Sequence, residues 1–260
     1  MKIAFIGCGN MGEAILAGTA SQHSCVVCEA RAERRSYLKK KYRCTFVDTA
    51  AKAVSGAEVV LLAVKPQDLA PALADIRPVC GKQLFISIAA GITAAFIEKS
   101  LGGKARVVRT MPNLPAMIGE GVTAVSSGKY ATPGDLKAAR KILAAVGAVI
   151  VVPEKMINAV TAVSGSGPAY VFLFVECLMN AARKLGFNDQ ESKTLVYQTL
   201  SGSARMLAGS ADSAEVLRQK VTSKGGTTQA AIGVLQEKDI SGMFLSAVKA
   251  AHSRAKQLAQ

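Results

Sequence analysis

Tryptophan is absent from the 260 residues, and histidine occurs only at His23 and His252. Aromatic side chains make up 5% of the chain, so aromatic-lined binding surfaces are excluded as its main device. Abundant Ala and Gly favour closely packed helices instead. Acidic residues are also scarce: 18 Asp and Glu face 32 Lys and Arg, a net charge of +14. The basic residues form small scattered groups (31–41, 137–141) without interleaved aromatics, which argues against a nucleic-acid partner. A solvated surface that also attracts anionic ligands accounts for them better.

Long apolar runs are missing as well. No uncharged apolar stretch is read as approaching the roughly 18 residues needed to cross a bilayer, and the longest candidate is 59–64. The apolar start at 2–6 stops at Gly7, and Asn10 and Glu13 follow where a signal peptide would stay apolar. The expectation is a soluble, cytoplasmic protein without a membrane partner. Six cysteines stand at 8, 25, 28, 44, 80 and 177. Cys25 and Cys28 form a C-x-x-C, but in an extended segment residues three apart point to opposite faces. With no second pair nearby, buried small hydrophobes are expected rather than a metal or redox site.

Short β-branched runs alternate with Ala-rich amphipathic segments over the first part of the chain. Strands are expected at 2–6, 25–29, 44–47, 59–64, 84–88, 106–109, 122–125 and 149–152. Such alternation implies βαβ units and an α/β, doubly wound, mainly parallel sheet over 1–152. From 153 to 260 the pattern is helical only. One helix is expected from Pro168, suited to the first helical position, to Gly186, suited to the position just past the end. Its 170–175 segment is apolar on every side, so it requires burial in its own domain or against another subunit. Further helices are expected after Asp189, after Asp212 with Glu215 at capping-box spacing, after Thr227, and from Ser241 onward.

The segment Gly7-Cys8-Gly9-Asn10-Met11-Gly12 is a G-x-G-x-x-G that closes a strand and opens a helix. In that context Gly7 permits the turn, Gly9 lets backbone approach a pyrophosphate, and Gly12 lets helix and strand pack closely. The helix N-terminus offers free N–H groups to the phosphates. About 20 residues on, Glu29 marks the place where such folds read the cofactor ribose. Alone it favours NAD; Arg31, Arg34 and Arg35 fit the 2′-phosphate of NADP, and Glu29 also reads as a plain solvated strand end. Ala63-Val64-Lys65-Pro66 puts a cation at the carboxyl edge of the sheet, and the 87–91 segment, with Ala90, leaves room for a nicotinamide ring.

These residues bring a family into view. FIGCGNMGEAI, AVKPQDL, SIAAGI, RTMPNLPAMIGEG, AVSGSGPAYVF and VTSKGGTTQAA occur in this order. The chain thereby resembles pyrroline-5-carboxylate reductase over essentially its whole length. The resemblance implies a Rossmann-type N-terminal domain (1–152) and an all-helical C-terminal dimerisation and substrate domain (153–260). It implies a homodimer that assembles further into a decamer, with the small-molecule substrate between cofactor cleft and helices. By position, NADP (or NAD) would meet Gly7, Gly9, Asn10, Met11, Gly12, Glu29, Arg31, Ala63, Val64, Lys65, Pro66 and Ala90. The substrate would meet Glu154, Lys220, Gly226, Thr227 and Thr228. Two positions depart from the family pattern: Ala50 and Lys220 stand where Asn is common. Lys220 adds charge near an anionic ligand or is a solvated lysine.

Gly225-Gly226-Thr227-Thr228 leads into a helix, a ready carboxylate site; N-capping by Thr227 or Thr228 is the plainer alternative. Reduction of a cyclic imine asks chiefly for positioning, which agrees with the absence of an evident acid–base pair. Thr228 is assigned the catalytic hydrogen bond to the ring nitrogen, and the amides of Gly226 and Thr227 the carboxylate. The nearest rival, a β-hydroxyacid dehydrogenase, would place a lysine where Val171 stands.

Overall fold

The computed structural model describes residues 1–259. Eight strands form one sheet: β1 Lys2–Ile6, β2 Ser24–Cys28, β3 Thr45–Val47, β4 Val59–Leu62, β5 Leu84–Ser87, β6 Arg106–Met111, β7 Gly121–Ser127 and β8 Gly147–Val151. All eight coincide with the expected strands, with ends shifted by a residue or two. Their order is β3-β2-β1-β4-β5-β6-β7-β8, parallel throughout except that β7 runs antiparallel to β6. The helices of this part are α1 Asn10–Thr19, α2 Ala32–Lys41, α3 Ala50–Val54, α4 Pro66–Ile76, α5 Ala94–Ser100, α6 Pro133–Leu143 and α7 Ile157–Val160.

Continuous apolar strands are the sign of a sheet covered on both faces. Along β1, Ala4 and Ile6 enter the cluster with Leu69, Leu73 and Ile97 of α4 and α5. Ile3 and Phe5 enter the opposite cluster with Ile15, Leu38 and Ile142 of α1, α2 and α6. Cys25 lies in the second cluster and Cys28 packs against the first, so the C-x-x-C is split by the sheet. Among the described residues no group of three metal-ligating side chains exists.

Compact units comprise 1–168 with 251–260, and 169–250. This division differs from a break at 152/153, because α7 and the segment around it pack on the sheet unit. The later helices are α8 Gly167–Lys184, α9 Asp189–Gly209, α10 Ala214–Lys220, α11 Thr227–Glu237 and α12 Ile240–Leu258. Gly186 ends α8 at φ +100, as its place after the last apolar turn predicts. Asn188 caps α9 in a full capping box with Glu191. At α10 the sequence expectation needs correction: Ser213, not Asp212, is the cap and accepts from the Val216 N–H.

The 169–250 unit lacks a core of its own; Ala182, Ser192 and Val196 are its buried residues. Phe172 is 53% exposed, and Val171, Leu173, Phe174, Met206, Leu207, Phe244 and Leu245 are exposed beside it in sequence or on sister helices. The continuous helical run 154–184 is, by length and composition alone, long and apolar enough to cross a membrane. That corrects the expectation that no such stretch exists: no charged residue interrupts 157–175, and scattered Ser, Thr and Gly hide the run from a simple reading.

Candidate active site

Strand order reverses at β1, whose neighbours are β2 on one side and β4 on the other. In open α/β sheets ligands bind beyond the carboxyl ends of the strands at such a point. Register brings the expected cofactor segments together there. Ile6 pairs with both Cys28 and Leu62, and Leu62 pairs with Ser87, so four strand ends lie level. The segments that follow are tied sideways. The Gly7 N–H donates to the Cys28 carbonyl (2.8 Å), Ala63 to Ile6 (2.8 Å) and Ile88 to Leu62 (3.1 Å).

Space constrains two of the loop glycines, Gly7 and Gly12. Gly7 has φ +79, and a Cβ there would stand 2.7 Å from Val64 Cγ1. A Cβ on Gly12 would meet Ala63 Cβ at 3.1 Å, while one on Gly9 would find only Arg31 Nη2, at 3.9 Å. The approach to Gly9 is open and bordered by a cation. Gly9 is the N-cap of α1 and no side chain caps it, so the N–H groups of Asn10, Met11 and Gly12 are left without intrahelical partners. This cradle fits a pyrophosphate. Lys65, exposed, holds the corresponding place at α4, ahead of Pro66 at N1.

Glu29 is not a solvated strand end. It is 4% exposed, and both carboxylate oxygens are engaged. Oε1 accepts from the Arg31 N–H (3.0 Å) and Nε (2.9 Å). Oε2 accepts from the Cys8 N–H (2.9 Å) and Arg31 Nη2 (3.2 Å). Burial raises the Glu29 carboxyl pKa, but the hydrogen bonds from Arg31 and Cys8 outweigh it and hold it below the usual range. A carboxylate with this many donors has little capacity left for a ribose hydroxyl.

The three arginines after Glu29 are not equivalent. Arg34 bonds the Cys8 carbonyl through Nε (2.9 Å) and Glu13 through Nη2 (2.5 Å). Glu13 also receives Lys41 (2.7 Å) and the Tyr42 hydroxyl (3.0 Å), so this network braces α1 against α2. Arg35 reaches the Glu29 carbonyl at 3.4 Å. Arg31 remains 64% exposed while its guanidinium is oriented by Glu29 and lies next to Gly9. Sequence reading grouped the three; the Glu13 network, more than 20 residues apart in the chain, left no local trace. Cys8, inside the loop, is buried, and burial pushes its thiol up to about 12. Ala50, at the Asn-rich family position, is buried and offers only a methyl group.

Ala90 follows β5 and is exposed. Gly91 behind it has φ +76, and a Cβ there would stand 2.5 Å from the Leu258 carbonyl oxygen. Glu154, expected at the substrate, has Oε1 engaged by the Ala94 N–H (2.8 Å) and Arg109 Nη1 (3.2 Å). Arg109 is buried, reaches Asn158 at 3.4 Å, and keeps an unpartnered Nε. Sequence reading did not single out Arg109; a lone charge ending the apolar run of β6 was the available signal.

In the 169–250 unit, Gly226 is the N-cap of α11 and no side chain caps that helix, so the capping alternative for Thr227 and Thr228 does not hold. Neither hydroxyl bonds another described residue, and Thr228 is half-buried. One detail of the carboxylate expectation also fails. The Gly226 N–H donates to the Ser223 carbonyl (3.1 Å) across a turn that Gly225 makes at φ +72, and Gln229 Oε1 accepts from Gly225 (2.5 Å). The unpaired amides are those of Thr227, Thr228 and Gln229. Lys220 is an exposed lysine paired with Asp212, whose Oδ2 accepts from its Nζ at 2.5 Å.

Comparison with known proteins gives consistent findings. Residues 154–258 match the family model "Pyrroline-5-carboxylate reductase dimerisation", and residues 2–91 match "NADP oxidoreductase coenzyme F420-dependent". A pyrroline-5-carboxylate reductase of Mycobacterium tuberculosis is 40% identical, covering 99% of this chain and 96% of that protein. The solved reductase of Coxiella burnetii is 36% identical with a TM-score of 0.93, over 99% of this chain and 98% of that one. The Plasmodium falciparum pyrroline carboxylate reductase, solved with NADP bound, is 29% identical with a TM-score of 0.88, over 100% and 98%.

Proposed function

The chain belongs to the pyrroline-5-carboxylate reductase family, and on that premise we propose that it reduces Δ1-pyrroline-5-carboxylate to L-proline with NADPH. The observation that carries the reading is the level alignment of the 7–12 loop, Glu29, Ala63 and Ala90 at the point where strand order reverses. When bound, the reduced nicotinamide supplies a hydride to the C=N carbon, and a proton from solution leaves the ring nitrogen as an amine.

The chain's own contribution is positional. The amides of Asn10, Met11 and Gly12 receive the pyrophosphate, with Gly7 and Gly9 shaping its approach and Ala63, Val64, Lys65 and Pro66 forming the adjoining wall. Arg31, held by Glu29, receives the adenosine 2′-phosphate, which favours NADPH over NADH. Ala90 leaves room for the nicotinamide. The substrate carboxylate is received by the amides at the start of α11, and the Thr228 hydroxyl donates to or accepts from the ring nitrogen. Lys220, paired with Asp212, borders the substrate, and Glu154 acts through Arg109 and the first turn of α5. Near-attack positioning of this kind supplies a large share of the barrier reduction.

The dimerisation match over 154–258 and the coreless 169–250 unit support a homodimer in which a second copy covers the apolar α8 face. That occupant accounts for the membrane-like composition of 154–184, and we assign the enzyme to the cytoplasm. Five dimers assembling to a decamer is the larger arrangement we assign. A steady-state assay with pyrroline-5-carboxylate and each reduced cofactor in turn tests the function. Turnover with NADPH favoured is expected; no turnover with either cofactor overturns it.

A further inference from the structure

Val107 of β6 enters the cluster with Ile97 of α5, and Val108 enters the opposite cluster. By strand alternation Arg109 falls on the α5 side, where an apolar residue would pack as Val107 does. A guanidinium stands there instead, 3% exposed and with its Nε unpartnered. Taking that charge out of water is unfavourable, and the bare Nε adds to the cost. What the guanidinium holds is Glu154, whose Oε1 accepts from Nη1 (3.2 Å), and Asn158, whose Oδ1 accepts from Nη2 (3.4 Å).

Glu154 Oε1 also accepts from the Ala94 N–H at 2.8 Å, across 60 positions of the chain. Ala94 opens α5, a helix of seven residues. The cap of that helix, Thr93, accepts from Phe96 (3.2 Å), so Glu154 takes a second of its free amides. The turn before α5 is fixed at its other end as well. Thr110 Oγ1 donates to the Ser87 carbonyl (2.9 Å), and Ser87 Oγ accepts from the Ala89 N–H (3.3 Å). Both of these side chains are buried. Residues 88–93, which include Ala90, are therefore held at Ser87 by β6 and at Ala94 through Glu154.

We propose that Arg109 is a positioning residue for the nicotinamide half of the cofactor. By fixing the Glu154 carboxylate it sets the first turn of α5, and with it the 88–93 turn. Being buried, it acts through Glu154 and not on cofactor or substrate directly. The adenosine half is received elsewhere, by the amides of 10–12 and by Arg31, so the two halves of the cofactor should respond separately to its loss. This deepens the function proposed above and rests on it for the ring placed at Ala90.

Calorimetric titration of the full-length protein with NADPH, and separately with 2′-phospho-ADP-ribose, which lacks the nicotinamide, tests this. Arg109→Met should weaken NADPH by about fivefold or more and leave 2′-phospho-ADP-ribose within about twofold, because only the nicotinamide loses a preorganised seat. Arg109→Lys, which keeps a donor for Glu154, should recover most of the NADPH loss. In turnover with pyrroline-5-carboxylate, kcat of Arg109→Met should fall by about tenfold or more, since small misplacements of the reacting ring are costly. Adding Glu154→Ala to Arg109→Met should lower kcat no further, as expected of two residues acting as one unit. Equal weakening of both ligands, or of neither, overturns the proposal, and so do additive losses in the double variant. If Arg109→Met does not fold, the same two titrations on Glu154→Ala, at a partly exposed position, decide it by the same outcomes. Because titration does not require turnover, nicotinamide-selective weakening in a protein that fails to reduce pyrroline-5-carboxylate sinks only the proposed reaction.

Discussion

The Arg31 guanidinium and the Glu29 carboxylate close on each other through two contacts, Nε–Oε1 at 2.9 Å and Nη2–Oε2 at 3.2 Å. The pair turns an acid that would otherwise favour a free ribose hydroxyl into the anchor of an exposed arginine. Arg31→Ala should therefore raise KM for NADPH by about tenfold to a hundredfold, from roughly 1.5–3 kcal/mol per charged hydrogen bond. KM for NADH should move less than threefold. Equal losses for both cofactors in steady-state kinetics would remove Arg31 from 2′-phosphate recognition.

The acid limb of stability follows from Glu13. Burial raises its pKa, but Lys41, Tyr42 and Arg34 outweigh burial and hold it below 4.5. A carboxyl with a depressed folded pKa stabilises fully above its unfolded value and loses that contribution as pH falls through the folded value. The melting temperature of Glu13→Gln should thus lie below wild type at pH 7 and converge with it as pH drops beneath 4.5. Parallel curves over the whole range would show that the network contributes no linkage.

Thiol chemistry separates two cysteines. Burial pushes Cys8 up to about 12, whereas Cys177 is an exposed free thiol. Alkylation of the native protein at pH 8, read by peptide mass, should modify Cys177 if α8 is uncovered and leave Cys8 intact. Rapid labelling of Cys8 would mean that the loop opens far more than its packing implies.

In the proposed homodimer the apolar face of α8 is the surface that the second copy covers. Phe172→Lys places a charge where the proposed second copy lands, sacrificing roughly 1.5–3 kcal/mol of burial per chain. Size-exclusion chromatography should show a shift toward monomer and calorimetry a fall of several degrees in melting temperature. A variant with unchanged size would mean that other surfaces carry the dimer.

What the sequence reveals depends on how local the cause is. The eight strands were legible because a sheet buried on both faces leaves unbroken apolar runs, as at 59–62. The 7–12 loop was legible because Gly7 and Gly12 answer to close contacts with Ala63 and Val64, just past the end of β4. The division of labour among Arg31, Arg34 and Arg35 was not, since Glu13 decides it from α1. Nor was the engagement of the Gly226 amide, which depends on the turn Ser223 makes, or the buried Arg109, whose partner lies 45 residues on.

In the proposed reaction Thr228 holds the ring nitrogen, and its test follows from the two groups it offers. Its amide is among the unpaired donors at the start of α11, and its hydroxyl bonds no described residue. Thr228→Ala keeps the amide and the helix, so binding of the substrate carboxylate should persist and KM should rise less than threefold. Loss of the hydroxyl removes the contact to the ring nitrogen, which strengthens as that nitrogen becomes an amine, and kcat should fall by tenfold or more. Thr228→Ser, which restores the hydroxyl, should recover most of the loss. An unchanged kcat in the alanine variant, or no recovery in the serine variant, would confine Thr228 to packing. The carboxylate would then be the helix terminus's only ligand.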